Sequence, residues 1–273
     1  MPVVAVLDDV VTRVLAPNPS PMTLDGTNTY VVHSDRAAVI VDPGPTDDGH
    51  RDRVAATVTD LDVDVAAVVV THHHVDHAAA AAAWAEDFGA RLHAPTREVA
   101  GPAGHLVTDG ATIDVPGLDV TAMATPGHCA DHMVFRLGTG AVLSGDHVLG
   151  RGTSVVAHPD GDLSAYLDSL RRLHDLGPHV LYPGHGPALT EDPGAVLDFY
   201  LDHRAFREGQ VVAVLERGPA TPRAIVEVVY ADVAQHLWGA AELSTRAAIE
   251  RLAALGRVRT DDADVAHLVD GGQ

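Results

Sequence analysis

Seven side chains of this sequence have the types and the spacing to hold metal. The run Thr71-His72-His73-His74-Val75-Asp76-His77 sets His72, His74, Asp76 and His77 within six positions, directly after the apolar residues 65–70. A short strand ending in such a cluster can aim several neutral imidazoles and a carboxylate at one point, which is what a divalent cation needs. Three later segments supply further donors: Thr125-Pro126-Gly127-His128, Ser144-Gly145-Asp146-His147 and Tyr182-Pro183-Gly184-His185-Gly186. Each is rich in Gly or Pro and ends or follows an apolar stretch, so each reads as a tight turn at a strand end.

His72, His74 and His128 make a three-nitrogen face, the usual protein contribution to a hydrolytic zinc. Asp76, His77 and His185 make a second face, and Asp146 lies between them as a shared ligand. Two cations about 3.5 to 4 Å apart repel, so a bridging carboxylate is a physical requirement, and such a pair brings the pKa of bound water toward neutrality. Asp76 and Asp146 are the expected catalytic carboxylates. Mixed imidazole and carboxylate donors suit Zn2+ best and also accept Mn2+ or Fe2+. The single cysteine, Cys129, excludes an internal disulfide and a cysteine-rich structural zinc, and is expected to be buried rather than a ligand. His73 and His147 neighbour ligands but, one residue along, point elsewhere, so they are expected to face substrate or support the site without touching metal. His132 is expected to orient or pack. Arg151, Ser154 and His158 follow Asp146 and are candidates for lining the pocket, and no residue stands out as the leaving-group acid.

The elements that must position these residues can be read from periodicity. Short apolar runs at 3–7, 30–33 and 38–41, the last ending in Asp42-Pro43-Gly44, predict strands of a partly antiparallel sheet. Residues 48–61 predict a helix, 65–70 a buried strand and 77–88 an alanine-rich helix stopped by Gly89. Further strands are expected at 90–93, 118–122, 132–137, 141–143 and 180–182, with an amphipathic helix at 163–176 closed by Gly177-Pro178. From about residue 200 the pattern turns helical: a helix opening at Asp192-Pro193 runs toward Arg217, and Thr221-Pro222 is an N-cap with proline at the first helical position. Leu243, Ala247, Ile249, Leu252 and Leu255 line another helix, and residues 258 and 265–269 suggest a hairpin. The expected division is a metal-hydrolase domain at 1–200 and a winged-helix-like domain at 201–273.

Composition narrows the partners. The formal charge is −20 and all 18 basic residues are arginine, which opposes nonspecific binding to phosphate backbones. From Leu201 onward eight arginines face eleven acidic residues, a net −3, too acidic for a DNA-reading helix. No apolar run reaches the roughly 18 residues of a membrane helix and no secretory leader is evident, so a cytoplasmic protein with no membrane partner is expected. Packing or homodimerisation is the expected use of the C-terminal helices.

The motif His72-x-His74-x-Asp76-His77, followed in chain order by His128, Asp146 and His185, resembles that of the metallo-β-lactamase fold superfamily. Asn18-Pro19 through Gly26-Thr27-Asn28-Thr29-Tyr30, Asp42-Pro43-Gly44, Asp131-His132, Leu149-Gly150, and His203-Arg204 with Arg207-Glu208 resemble the lactamase-beta-like branch that carries a C-terminal winged helix. The resemblance spans nearly the whole chain. It implies an α+β fold, an αββα sandwich of the metallo-β-lactamase type with a small C-terminal winged-helix domain. It also implies metal one on His72, His74, His128 and Asp146, and metal two on Asp76, His77, His185 and Asp146. Members of that branch include single-strand-directed ribonucleases and thioesterases of carrier-bound acyl chains. The acidic, lysine-free chain favours a small ester, thioester or lactone over RNA phosphodiesters. A β-lactamase, a one-iron thiol dioxygenase and a non-enzymatic protein- or DNA-binding module fit the donor set or the sequence less well.

Overall fold

A computed structural model describes residues 1–269; the last four positions of the expected C-terminal domain lie outside the described residues. The chain divides into two compact units, one of Met1–Thr125, Asp131–Thr153 and Leu176–Pro193, the other of Pro126–Ala130, Ser154–Asp175 and the chain from Gly194 onward.

The first unit is a layered α/β sandwich. Its first sheet runs β1 (Val4–Val6), β2 (Val11–Leu15), β3 (Asn28–His33), β4 (Ala37–Val41), then, after helix α1 (Asp48–Asp60), β5 (Asp64–Val69). Helices α2 (Val75–Ala78) and α3 (Ala81–Asp87) lead to β6 (Arg91–Ala94), and α4 (Arg97–Ala100) leads to β7 (His105–Leu106). Strands β1 to β4 pair antiparallel in hairpin succession, whereas β4 to β7 pair parallel across helical crossovers. The second sheet contains β8 (Val120–Ala124), β9 (Met133–Leu137), β10 (Val142–Gly145) and, after helix α5 (Leu163–Leu176), β11 (Leu181–Pro183), in the order β11-β10-β9-β8.

The two sheets share one core, in which Val32, Val39, Val41 and Val69 of the first meet Val120, Phe135, Leu137 and Leu143 of the second. The other face of the first sheet, with Val31, Ile40 and Val68, is covered by Val54 and Val58 of α1 and by Ala81 and Trp84 of α3. Strand β4 is buried at every position, as its unbroken Ala-Ala-Val-Ile-Val run requires of a strand covered on both faces.

Helix α4 and strand β7 are not expected from the sequence, and two further departures have a clear physical cause. Strand β2 is not singled out by its pattern, because Thr12 and Arg13 break the apolar run; both are nevertheless buried, and the Arg13 guanidinium donates to Pro2 O at 2.8 Å. The alanine-rich segment expected as one helix over 77–88 forms two. The Ala80 amide donates to Gly44 O at 3.1 Å, and the Asp76 carbonyl it would have met in a continuous helix accepts from Thr27 Oγ1 at 2.9 Å. Tertiary bonds thus replace an i to i−4 bond and split α2 from α3.

The second unit is helical. Helix α5 buries Leu163, Tyr166, Leu167, Leu170 and Leu173, and α6 spans Pro193–Leu215. Helix α7 (Pro222–Val229) begins with Thr221 accepting from the Ala224 amide, and α8 (Trp238–Ala254) precedes a hairpin of β12 (Val258–Thr260) and β13 (Ala266–Leu268). Three helices and a hairpin are the winged-helix arrangement expected from the sequence. Among the described residues no helix is long and apolar enough to cross a membrane.

Candidate metal centre

The donor cluster sits where strands end. Strand β5 stops at Val69, Thr71 stays buried, His72 and His74 lie on the turn, and Asp76 and His77 occupy the short helix α2. Asp146 directly follows β10, and His185 lies two residues beyond β11. Those strands are parallel neighbours with Gly145 opposite Pro183, and the Gly184 amide donates to Gly145 O at 2.8 Å. Asp146 and His185 therefore leave the second sheet side by side.

Their ligand atoms converge. Those of His72, His77 and Asp146 lie within 4.8 Å of one another, as do those of Asp76, His77 and His185. His77 Nε2 and His185 Nε2 are each 3.4 Å from Asp146 Oδ1 and 3.2 Å from each other, and His185 Nε2 is 3.2 Å from Asp76 Oδ2. His72 Nε2 stands 3.0 Å from His74 Nδ1. A Cβ at Gly184 would come within 2.7 Å of both Asp146 Oδ1 and His77 Cε1, so only glycine leaves room for this cluster.

The hydrogen bonds decide which ring nitrogens carry protons. Asp42, buried at a left-handed turn after β4, accepts from the Thr71 amide at 2.7 Å, from Thr71 Oγ1 at 2.8 Å and from His77 Nδ1 at 2.9 Å. A carboxylate only accepts, so His77 Nδ1 holds the proton and Nε2 presents a lone pair. With its hydroxyl proton given to Asp42, Thr71 Oγ1 accepts from His72 Nδ1 at 2.9 Å, which leaves a lone pair on His72 Nε2 as well. His185 Nδ1 faces the Gly26 carbonyl at 3.2 Å, with the same consequence for its Nε2. The three imidazoles thus turn Nε2 toward the carboxylates of Asp76 and Asp146. Ring nitrogens and carboxylate oxygens packed this way take up positive charge between them, as protons or as a cation, so the residues fit divalent metal.

In the metal-free protein a proton takes that part. Burial works against charge on His77, yet Asp146 and Asp42 outweigh it and hold the imidazole well above its usual range. The same contest lifts His185 to about 9, burial opposing and Asp146 prevailing. Burial disfavours charge on Asp146 too, but His185 and His77 hold its carboxyl well below the ordinary range, and Asp76 is lowered against burial by its bond to His185.

Several supports carry no chemistry that spacing alone reveals. Asn28 is fully buried and donates both amide protons, to Pro183 O and Gly186 O at 2.8 Å each, bracketing His185. His132 Nε2 accepts from the Asp146 amide at 3.0 Å while its Nδ1 bonds Thr125 Oγ1 at 2.9 Å. In the sequence Asp42 and Thr71 stand out only as turn and strand-end residues, and Asn28 only within the run that carries the family resemblance.

Of the expected ligands, His72, His74, Asp76, His77, Asp146 and His185 lie together in the first unit, while His128 belongs to the 126–130 segment of the second, where its Nδ1 donates to Val155 O at 2.6 Å. His73 is exposed and bonds Asp131 at 2.8 Å. His147 is wholly buried with its ring 5.8 Å from that of His132. Arg151 pairs with Asp25. Ser154 and His158 lie in the second unit, the latter paired with Glu250 at 2.9 Å, and Cys129 is buried there.

Comparison with known proteins agrees with this geometry. Residues 22–185 match the family model of the metallo-beta-lactamase superfamily, and residues 221–266 match that of the beta-lactamase associated winged helix domain. The chain is 34% identical over 232 residues to an atrochrysone carboxyl ACP thioesterase of Aspergillus chevalieri, covering 82% of this chain and 74% of that one. It is 30% identical over 277 residues to a beta-lactamase-like protein 2 homolog of Drosophila melanogaster, covering 95% and 93%. A metallo-beta-lactamase family protein of Thermus thermophilus shares the fold with a TM-score of 0.81 at 22% identity, covering 97% of this chain and all of that one.

Proposed function

We propose, from the premise that this chain belongs to the metallo-beta-lactamase superfamily and is a hydrolase of that fold, that it hydrolyses a small carboxylic thioester or ester, a lactone included, at two divalent cations, most fittingly Zn2+. The observation that carries the reading is the convergence of the His72, His77 and His185 imidazoles, each with Nδ1 engaged by a neighbouring acceptor, on the carboxylates of Asp76 and Asp146. His72, His74 and His128 would hold the first cation and Asp76, His77 and His185 the second, with Asp146 available to both; the place of His128 rests on its position in the family motif. Bound there, the cations supply a water acidic enough to ionise near neutral pH and a pull on the carbonyl oxygen.

The chain's own residues do the remaining work. Asp42 and Thr71 hold Nδ1 of His77 and His72 as donors, so that Nε2 is the nitrogen each ring offers a metal, and Asn28 keeps the His185 turn closed. Asp76 would help hold the second cation and orient the attacking water, a role supported by its carboxylate lying 3.2 Å from His185 Nε2. The surface around the site favours an acyl group over a polyanion. The loop joined to Asp76 through Thr27 bears exposed Met22, and Val75 beside Asp76 is 77% exposed; Arg151, a basic residue on the loop after Asp146, is paired with Asp25. The thioesterase named among the relatives supports the thioester within this class.

The test is a turnover panel of acyl thioesters, esters, lactones and short unstructured RNA on protein of measured metal content, beside Asp146→Asn. Metal-dependent acyl hydrolysis lost in the variant is the expected result. Salt-sensitive RNA cleavage exceeding it overturns the substrate assignment, and full turnover by D146N overturns the metal chemistry.

A further inference from the structure

The pair His203-Arg204 in α6 has no part in the chemistry above, yet Arg204 is built into the second unit in an unusual way. Its side chain is buried at 8% exposure and has no carboxylate partner among the described residues. Burying a guanidinium without a counter-charge is expensive, and such a group persists where its donors have a task. One terminal nitrogen donates to the Ser154 carbonyl, and the planar group lies 4.9 Å over the ring of Tyr166.

Both partners of Arg204 support the segment that carries His128. Beside Ser154, the Val155 carbonyl accepts from His128 Nδ1 at 2.6 Å, and Ser154 Oγ lies 3.3 Å from the same nitrogen. Tyr166 packs so closely on Gly127 that a Cβ there would sit 2.2 Å from Tyr166 Cα; Gly127 also has a φ of +138°, open to glycine. Ser169 Oγ donates to Pro126 O at 2.8 Å and the Asp162 amide to Gly127 O at 2.9 Å, so α5 and its N-terminal approach grip the backbone leading into His128. The Val155 carbonyl can only accept. His128 therefore keeps its proton on Nδ1 and a lone pair on Nε2 for as long as the 154–155 backbone stays in place.

We infer that Arg204 is a positioning residue for His128: by holding the Ser154 carbonyl and stacking on Tyr166, it fixes the backbone that selects the Nδ1–H form of this imidazole. The inference rests on the proposed reading of His128 as a ligand for what the lone pair is used for, but not for the hydrogen bonding itself. It gives the C-terminal helices a role in the metal chemistry without any contact to substrate.

The test uses full-length Arg204→Met and Arg204→Lys with His128→Ala as control. Long-range proton–nitrogen NMR of 15N-histidine-labelled, metal-free protein reads the His128 tautomer, and chelator competition reads zinc affinity. Expected are a single Nδ1–H form in wild type, a mixture in R204M with zinc bound 10- to 100-fold more weakly at one site, and partial recovery in R204K, which keeps the charge but not the planar fork. An unchanged His128 pattern in folded R204M, or in R204K should R204M not fold, overturns the inference. H128A separates the two ideas: if it leaves zinc affinity untouched while R204M shifts the tautomer, the positioning stands and the ligand reading falls. If H128A weakens zinc and R204M changes neither readout, the reverse holds.

Discussion

Substituting Gly184 by Ala tests how tightly the centre is built. The new Cβ would stand 2.7 Å from Asp146 Oδ1 and from His77 Cε1, and 3.2 Å from the Gly145 carbonyl carbon, where ordinary contact begins near 3.4 Å. Something must move by about 0.7 Å. The backbone of residue 184 resists, because its amide bonds Gly145 O at 2.8 Å and its carbonyl accepts from the Asn28 amide at 2.7 Å. His77 is tied at Nδ1 to Asp42, so the Asp146 carboxylate is the group most free to yield. A misplacement of 1 Å in a reacting constellation costs about 10²-fold, so G184A should lose roughly 30- to 100-fold in kcat/KM, about 2 to 3 kcal/mol of transition-state stabilisation. Gly184 is not among the residues of positive φ, so alanine is compatible with the backbone and the metal-free fold should survive. Metal content after dialysis, kcat/KM at saturating metal and a thermal melt of the metal-free protein make the assay. A folded G184A with wild-type metal content and kcat/KM within twofold would refute the close approach of residue 184 to Asp146 and His77.

Three further outcomes follow from other parts of the molecule. Asn28→Asp replaces a double donor by an acceptor facing two buried carbonyls, and should destabilise the metal-free protein by about 3 kcal/mol or more in denaturant titration; a loss under 1 kcal/mol would count against the clamp. His50 is buried and neutral, with burial first and the Arg53 charge second pushing its pKa from 6.5 down to about 4. The unfolded chain binds a proton between pH 6.5 and 4 that the folded one refuses, so the stability this residue contributes is full above pH 6.5 and falls by about 3 kcal/mol as the pH drops to 4. The unfolding free-energy gap between wild type and His50→Gln should narrow by that amount between pH 7 and 4, and a constant gap would contradict it. Gly209 lies inside α6 with nothing within 4 Å of the point where a methyl group would stand, so Gly209→Ala should stabilise by about 0.5 to 1 kcal/mol with turnover unchanged.

What could be read from sequence was what depends on residue type and local period. The strand-to-turn cluster at 72–77, the loops bearing Asp146 and His185, helix α5 with its Leu163, Tyr166, Leu167, Leu170 and Leu173 stripe, and the proline-started α7 all follow from such patterns. What escaped depends on partners far along the chain. Six consecutive alanines promise one helix, and only the insertion of Gly44, which accepts from Ala80 and donates to His77 O, breaks it into α2 and α3.

The same remoteness hides the supports of the site. Asp42 in Asp-Pro-Gly reads as a turn former, and nothing local says that its carboxylate sets the protonation of two imidazoles thirty residues away. Types and spacing identify which atoms can bind metal, whereas the choice between Nδ1 and Nε2 on each ring is made by acceptors that only the fold delivers: Asp42 for His77, Thr71 for His72, Gly26 O for His185. A cluster of histidines becomes a metal centre when those acceptors force every lone pair inward. Substitutions at Asp42 or Asn28 should therefore harm metal binding as much as substitutions among the ligands they support.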